Sequence, residues 1–180
     1  MKRSWLFWAA LGAQLLLLTA MIGLKSYTLA EGTPVVLKTA PVDPWDLFRG
    51  DYVRLNYEIS SLDSGLAPGG GRDLRRNQTV YVLLKRGQPF WQAVAIRTDR
   101  PPASPDEVAL KGRVSYVYPD RILLQYGLES YYLPEGRGRE LEEKLRPPHP
   151  ADIAVEVAVD AFGNSAILHL LVNGQIFTPE

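Results

Sequence analysis

The chain has 180 residues, and its 20 Lys and Arg balance 20 Asp and Glu, so no long-range field draws it to nucleic acid. Cysteine is absent, which excludes a disulfide framework and any thiolate metal site. Two histidines leave little material for zinc ligation or a Ser-His-Asp arrangement.

Residues 1–4 carry Lys2 and Arg3, and Trp5 to Leu24 is an apolar run whose only polar side chains are Gln14 and Thr19. About 20 helical residues at ~1.5 Å each span the ~30 Å of bilayer hydrocarbon. Trp5, Trp8 and Tyr27 suit the two interfacial belts, and the basic start outweighs the single Lys25. The expectation is a cytoplasmic N terminus (1–4), a lipid-embedded anchor (5–24), a short polar tether (25–34) and a β-rich domain (35–180) outside the cytoplasm. The competing reading is a cleaved secretory signal, whose apolar core is usually shorter and ends at a small-x-small site. Only Thr28-Leu29-Ala30 offers such a site.

Behind the tether, Val35-Val36-Leu37 opens the first strand. Asp43-Pro44-Trp45-Asp46 reads as a helix start, with Asp43 as N-cap and Pro44 at the first position. Gly50 follows where a left-handed C-cap residue belongs. The next stretch is Gly50-Asp51-Tyr52-Val53-Arg54-Leu55-Asn56-Tyr57. Period-two alternation from Asp51 to Ile59 puts Val53, Leu55, Tyr57 and Ile59 on one face and Tyr52, Arg54, Asn56 and Glu58 on the other. Leu55 and Tyr57 are therefore expected in the core, and Tyr52 and Arg54 outside it.

The Gly-Asp-Tyr-x-x-Leu-x-Tyr order after a Pro-x-Asp-Pro turn resembles the GDYXXLXY family of bacterial membrane-anchored proteins. The resemblance implies an anchored extracytoplasmic domain and, as partner, a polytopic integral membrane protein. It implies no particular chemistry and no cofactor.

Residues 60–78 form a long Gly-, Ser- and Arg-rich connection, expected as a loop. Thr79–Leu84 and Phe90–Ile96 read as a hairpin, and Val108–Tyr118 as a longer strand bent or bulged at Gly112. Arg121–Tyr126 returns from the Pro119-Asp120 turn, and Arg139–Arg146 reads as the one short soluble helix. Ile153–Val159, the 160–164 turn, Ala166–Val172 and the Asn173-Gly174 hairpin close the chain. Short strands at near-regular spacing predict a mainly β fold, a small antiparallel barrel or sandwich behind the anchor.

A second stretch, Gly127-Leu128-Glu129-Ser130-Tyr131-Tyr132-Leu133-Pro134-Glu135-Gly136, also fits the resemblance. Among candidates for chemistry, Asp43, Asp46 and Asp51 are explained by capping and turn roles rather than by a metal. Glu129 and Glu135 raise paired-carboxylate hydrolysis, with bonding to Arg or backbone as the bland reading. Glu140, Glu142 and Glu143 read as a solvated helix face. His169, between Leu168 and Leu170, reads as half-buried and structural. A Ser-Lys dyad would need no histidine, but Ser26 lies at the membrane edge and Lys111 has no recognisable partner. Tyr and Arg are favoured at interface hot spots, so Arg49, Asp51, Tyr52, Arg54, Glu129, Tyr131 and Glu135 form a candidate recognition patch, with cross-strand packing on the second face of a barrel or sandwich as the bland reading of its aromatics. Asp43, Pro44, Gly50, Leu55 and Tyr57 form the structural part of the motif.

The resulting expectation is a binding or assembly domain held at the membrane surface. The alternative is an envelope-polymer hydrolase using Glu129, Glu135 or Asp51. A deep cleft joining two of those carboxylates would favour hydrolysis, and carboxylates bonded to backbone or Arg would favour binding.

Overall fold

The computed structural model describes residues 4–40, 52–102, 104, 106–132 and 152–177. The helix starts expected at Asp43 and Arg139, and Gly50, Asp51 and Glu135, lie outside the described residues.

Helix α1 (Ser4–Glu31) has no polar face from Trp5 to Leu24, and Leu16 and Leu24 are 74% and 69% exposed. A helix with no polar face needs an apolar environment on all sides. This one is long and apolar enough to cross a membrane. At ~1.5 Å per residue its 28 residues run about 42 Å, more than the ~30 Å of hydrocarbon. The residues expected to form a tether are instead the last turns of α1 and the opening of β1 (Thr33–Lys38), with Gly32 between them.

The remaining strands are β2 (Tyr52–Arg54), β3 (Ser61–Asp63), β4 (Thr79–Lys85), β5 (Gln92–Arg97), β6 (Glu107–Val117), β7 (Arg121–Gln125), β8 (Ser130–Tyr132), β9 (Ile153–Val159), β10 (Ser165–Val172) and β11 (Gln175–Ile176). They form antiparallel sheets in the orders β1-β9-β10-β11, β2-β8 and β3-β7-β6-β4-β5. The fold is mainly β, as the strand spacing predicts, and its sheets curl around one core. Trp91 N–H donates to Val36 O (3.0 Å) and Lys111 N–H to Gly163 O (2.9 Å), and these bonds stitch the large sheet to the β1-β9-β10 sheet.

Alternation fills the core. Val35 and Leu37 meet Val155, Val157 and Leu170 from one sheet, and Val80, Val82, Leu84, Leu110, Val114 and Ile122 from the other. Each such side chain fully buried contributes roughly 1.5–3 kcal/mol.

Local departures from the expected pattern have physical causes. The 60–78 connection is built: β3 pairs with β7, and a 3-10 turn at Ser64–Leu66 and a turn through left-handed Gly69 and Gly70 follow, because Leu62 and Ala67 bury there. Gly112 keeps register with Val80, and the irregularity falls between Val114 and Tyr116. A second register shift, between Ile167 and His169, turns His169 outward. There its Nδ1 lies 2.9 Å from Glu156 Oε2, so it is a surface residue rather than a half-buried one.

The helix is locked to the domain at its C-terminal end. Asp160, 6% exposed, accepts from Thr28 Oγ1 (2.7 Å), Phe162 N (2.8 Å), Asn164 N (3.0 Å) and Asn164 Nδ2 (3.1 Å). The same carboxylate thus shapes the 160–164 turn and holds α1. Ala158 and Ala166, both buried, keep the sheet surface low where the chain leaves the helix. A Cβ on Gly32 would stand 2.8 Å from Ala158 Cβ and would also collide with Thr28 O.

Burial alone would raise the Asp160 carboxyl, but the bonds from Thr28, Asn164 and Phe162 outweigh it and hold the group below the ordinary 3.8. Its folded value is depressed, so its contribution is complete at neutral pH and is lost as pH falls below about 4, through the folded value. Asp160→Ala leaves several buried donors unpaired and is expected to cost about 2–4 kcal/mol. Gly32→Val is expected to cost about 1–3 kcal/mol through overpacking. Thermal unfolding of the detergent-solubilised full chain measures both, and Asp160→Ala should flatten the loss of stability below pH 4.

Candidate functional site

The two stretches singled out by the sequence, far apart in the chain, are joined in space. β2 pairs with β8 in the register Tyr52↔Tyr132, Val53↔Tyr131 and Arg54↔Ser130. The pairing continues where Leu55 N–H donates to Glu129 O (2.8 Å). On the other side Ala40 N–H donates to Asn56 O (2.8 Å), and Thr39 bridges Tyr57. The motif strand therefore lies between residues 39–40 and 128–130, and it shortens as a strand because Glu58–Ser60 turns into a 3-10 helix. Ile59 still reaches the core from that turn.

Two tyrosines clasp this junction reciprocally. Tyr57 OH donates to Leu128 O (2.7 Å), and Tyr126 OH donates to Ile59 O (2.6 Å). Both hydroxyls are buried. Burial first, and the charge of Glu129 second, push both phenols well above their ordinary 10.0. Gly112 makes room for this clasp, since a Cβ there would stand 3.0 Å from the Tyr126 ring. Glu129 Oε1 accepts from Tyr126 N (2.5 Å), closing the turn in which Gly127 has φ +76°.

Beside the clasp is a cleft of about 600 Å³. Arg54, Asn56 and Glu58 are exposed along it, Leu55 and Tyr57 are buried beneath them, and Glu129 and Ser60 lie on its wall. Glu58 Oε1 pairs with Lys38 Nζ at 2.6 Å. That hydrogen bond, then Glu58's charge, raises the Lys38 ammonium. Both partners are about half exposed, so the pair sets geometry more than stability. Ser60 Oγ is buried and is without a hydrogen-bond partner among the described residues.

The expected core role of Leu55 and Tyr57 and the expected exposure of Arg54 are both seen. Glu129 is at the cleft but is tied to backbone. Tyr131 is partly buried against the core, whereas Tyr132, paired with Tyr52, is 77% exposed. Arg49, Asp51 and Glu135, and the structural Asp43, Pro44 and Gly50, lie outside the described residues. No group of three or more His, Cys, Asp or Glu able to hold a metal occurs among the described residues. Sequence reasoning missed Tyr126, whose only signal was an aromatic at the end of an alternating strand. It also missed Asp160, which carried the ordinary signature of a turn residue.

Tyr57→Phe and Tyr126→Phe are each expected to cost about 1 kcal/mol, with a coupling of at least ~0.5 kcal/mol in the double variant because both tie the same two segments. Raised phenol values favour the neutral form in the folded state, so this contribution is full below the unfolded value near 10 and is lost only as pH rises above it. Spectrophotometric titration of the folded chain, which has nine tyrosines, should leave at least two un-ionised at pH 11 in wild type. One fewer should remain in each single variant.

Neither the curated proteins nor the solved structures include a match to this chain. The family model described as GDYXXLXY protein matches residues 14–170, from the middle of α1 through most of β10. That span takes in both paired stretches, the tyrosine clasp and the Thr28–Asp160 lock. With so much of its length matched, the chain belongs to the GDYXXLXY family.

Proposed function

We propose that the protein is a single-pass component of the bacterial cytoplasmic membrane. Its β domain faces the periplasm or the exterior, and it binds or assembles with a polytopic membrane protein through the motif cleft. The observation that carries this reading is the division of the motif strand. Leu55 and Tyr57 are spent on the core, while Arg54, Asn56 and Glu58 stand exposed along a cleft of about 600 Å³. A strand that alternates in this way holds polar groups rigidly at a surface, as recognition requires.

The carboxylates at that cleft support binding more than hydrolysis. Glu129 lends an oxygen to the Tyr126 amide, and Glu58 is paired with Lys38. A general acid and its partner would each need a proton-transfer path to a bound substrate.

Crosslinking in intact membranes followed by pull-down of tagged full-length chain tests the proposal, with a Tyr52→Ala, Arg54→Ala variant shown to unfold at the wild-type temperature. The expected result is one specific membrane-protein partner, reduced at least tenfold in the variant. Capture that is equal in both, or no partner with either, contradicts it.

A further inference from the structure

A second cleft, of about 510 Å³, opens at the foot of the domain where α1 meets it. It exists because β7 ends at Gln125 while β6 runs on, and the 160–164 turn takes the vacated edge through the bond from Lys111 N–H to Gly163 O (2.9 Å). Thr79, Arg113 and Gln125 lie opposite one another on β4, β6 and β7, and all three line the cleft. Lys111 stands two residues before Arg113 on the same strand, and Lys25 of α1 completes the wall.

The cleft is basic in a chain without net charge. Lys25, Lys111 and Arg113 face one carboxylate, Glu129, and that carboxylate already accepts from the Tyr126 amide. Lys25 Nζ donates to Ser165 O (2.8 Å) and keeps two further N–H donors. Among the described residues neither the Lys111 ammonium nor the Arg113 guanidinium has an ion-pair or hydrogen-bond partner. Hydroxyl, amide and cationic donors meeting on one wall suit an oxyanion of the phosphate class.

Position decides where that phosphate comes from. Lys25 directly follows Leu24, the last residue of the apolar run. The interfacial layer on each side of the hydrocarbon is about 5–7 Å deep, and α1 rises ~1.5 Å per residue, so Lys25 to Thr28 cross that layer. The lock from Thr28 to Asp160 fixes the domain at this height. The same turn carries Phe162, 55% exposed, with the Arg100 guanidinium 5.4 Å from its ring centre. An exposed aromatic beside a cation suits a membrane interface.

We infer that this cleft is a binding site for the phosphate of an anionic phospholipid headgroup, taken from the leaflet into which α1 emerges. The inference rests on the proposed membrane anchoring. Headgroup capture there would hold the domain at a set tilt and leave the motif cleft free for its partner.

The test reconstitutes full-length chain in nanodiscs of phosphatidylcholine with one quarter phosphatidylglycerol, and counts lipids retained by native mass spectrometry. A basic side chain at an anionic leaflet is worth roughly fivefold. In wild type the ratio of phosphatidylglycerol to phosphatidylcholine among retained lipids is expected to be at least tenfold the bulk ratio, and Lys111→Gln, Arg113→Gln is expected to lose at least fivefold of that preference while unfolding at the same temperature. No preference in wild type, or an undiminished preference in the variant, overturns the site; loss only on Lys25→Gln assigns the effect to the helix flank and overturns it too. Inorganic phosphate at 10 mM is a separate arm: if it raises the unfolding temperature in pure phosphatidylcholine as much as phosphatidylglycerol does, the lipid source is wrong. Failure of the chain to enter nanodiscs contradicts the anchoring itself, a result distinct from failure of the cleft.

Discussion

The molecule depends on one buried carboxylate. Asp160 shapes the turn between β9 and β10 and at the same time receives the Thr28 hydroxyl from α1. A charged group this buried is tolerable only when its oxygens are filled, so the turn and the helix end are each a condition for the other. Because β1 follows α1 after a single residue, Gly32, the chain has little slack with which to swing the domain on its helix. The helix and the β domain therefore behave as one body, and everything on the domain has a set height above the end of the apolar run.

That constraint gives the two clefts different neighbours. The basic cleft shares Lys25 with the helix, while the motif cleft is bounded by Ala40, the 54–61 segment and the 123–125 end of β7, on the side of the fold where β2 meets β8. Glu129 and Gln125 touch both. Glu129 is held by the turn that also presents Leu128 O to Tyr57, so the wall between the clefts and the tyrosine clasp are the same piece of structure. The family motif reads accordingly: Leu55 and Tyr57 build that wall from below, while Asn56 between them and Arg54 and Glu58 on either side face outward.

Much of this fold was legible where one physical signal dominated. Alternation located β9 and assigned Leu55 and Tyr57 to the core, because one-sided burial leaves a period-two trace, and apolar runs bounded by turns located β4 and β10. Asn173-Gly174 marked a hairpin, since both residues adopt positive φ (52° and 78°) there. The signal failed where pairing is non-local. Nothing in residues 60–78 announces that Ser61–Asp63 will find β7, and glycine content argued for a loop. The bulges near Ser115 and Leu168 have no glycine to betray them, whereas Gly112 exists to admit the Tyr126 ring. The tether was misread because Lys25, Ser26, Thr28 and Glu31 are polar, and polarity after an apolar run looks like departure from a helix. Here the helix continues through them, and Lys25 and Thr28 bond to Ser165 and Asp160 of the domain. Of the site, the motif and the 129–132 stretch were visible as separate strings, but their pairing was not. Asp160 and the Lys111–Arg113 wall acquire meaning only from the topology.

The most direct test of a single rigid body is a distance distribution across the junction, and the absence of cysteine makes site-directed labelling clean. Spin labels at Leu16→Cys on the exposed helix and Lys85→Cys at the end of β4, read by double electron–electron resonance in nanodiscs, report the angle between α1 and the β domain. A single narrow distribution that broadens when Thr28→Val is added is the predicted result. A distribution already broad in the parent, or unchanged by loss of the Thr28 hydroxyl, would mean that the domain swings freely and that Asp160 does not hold it.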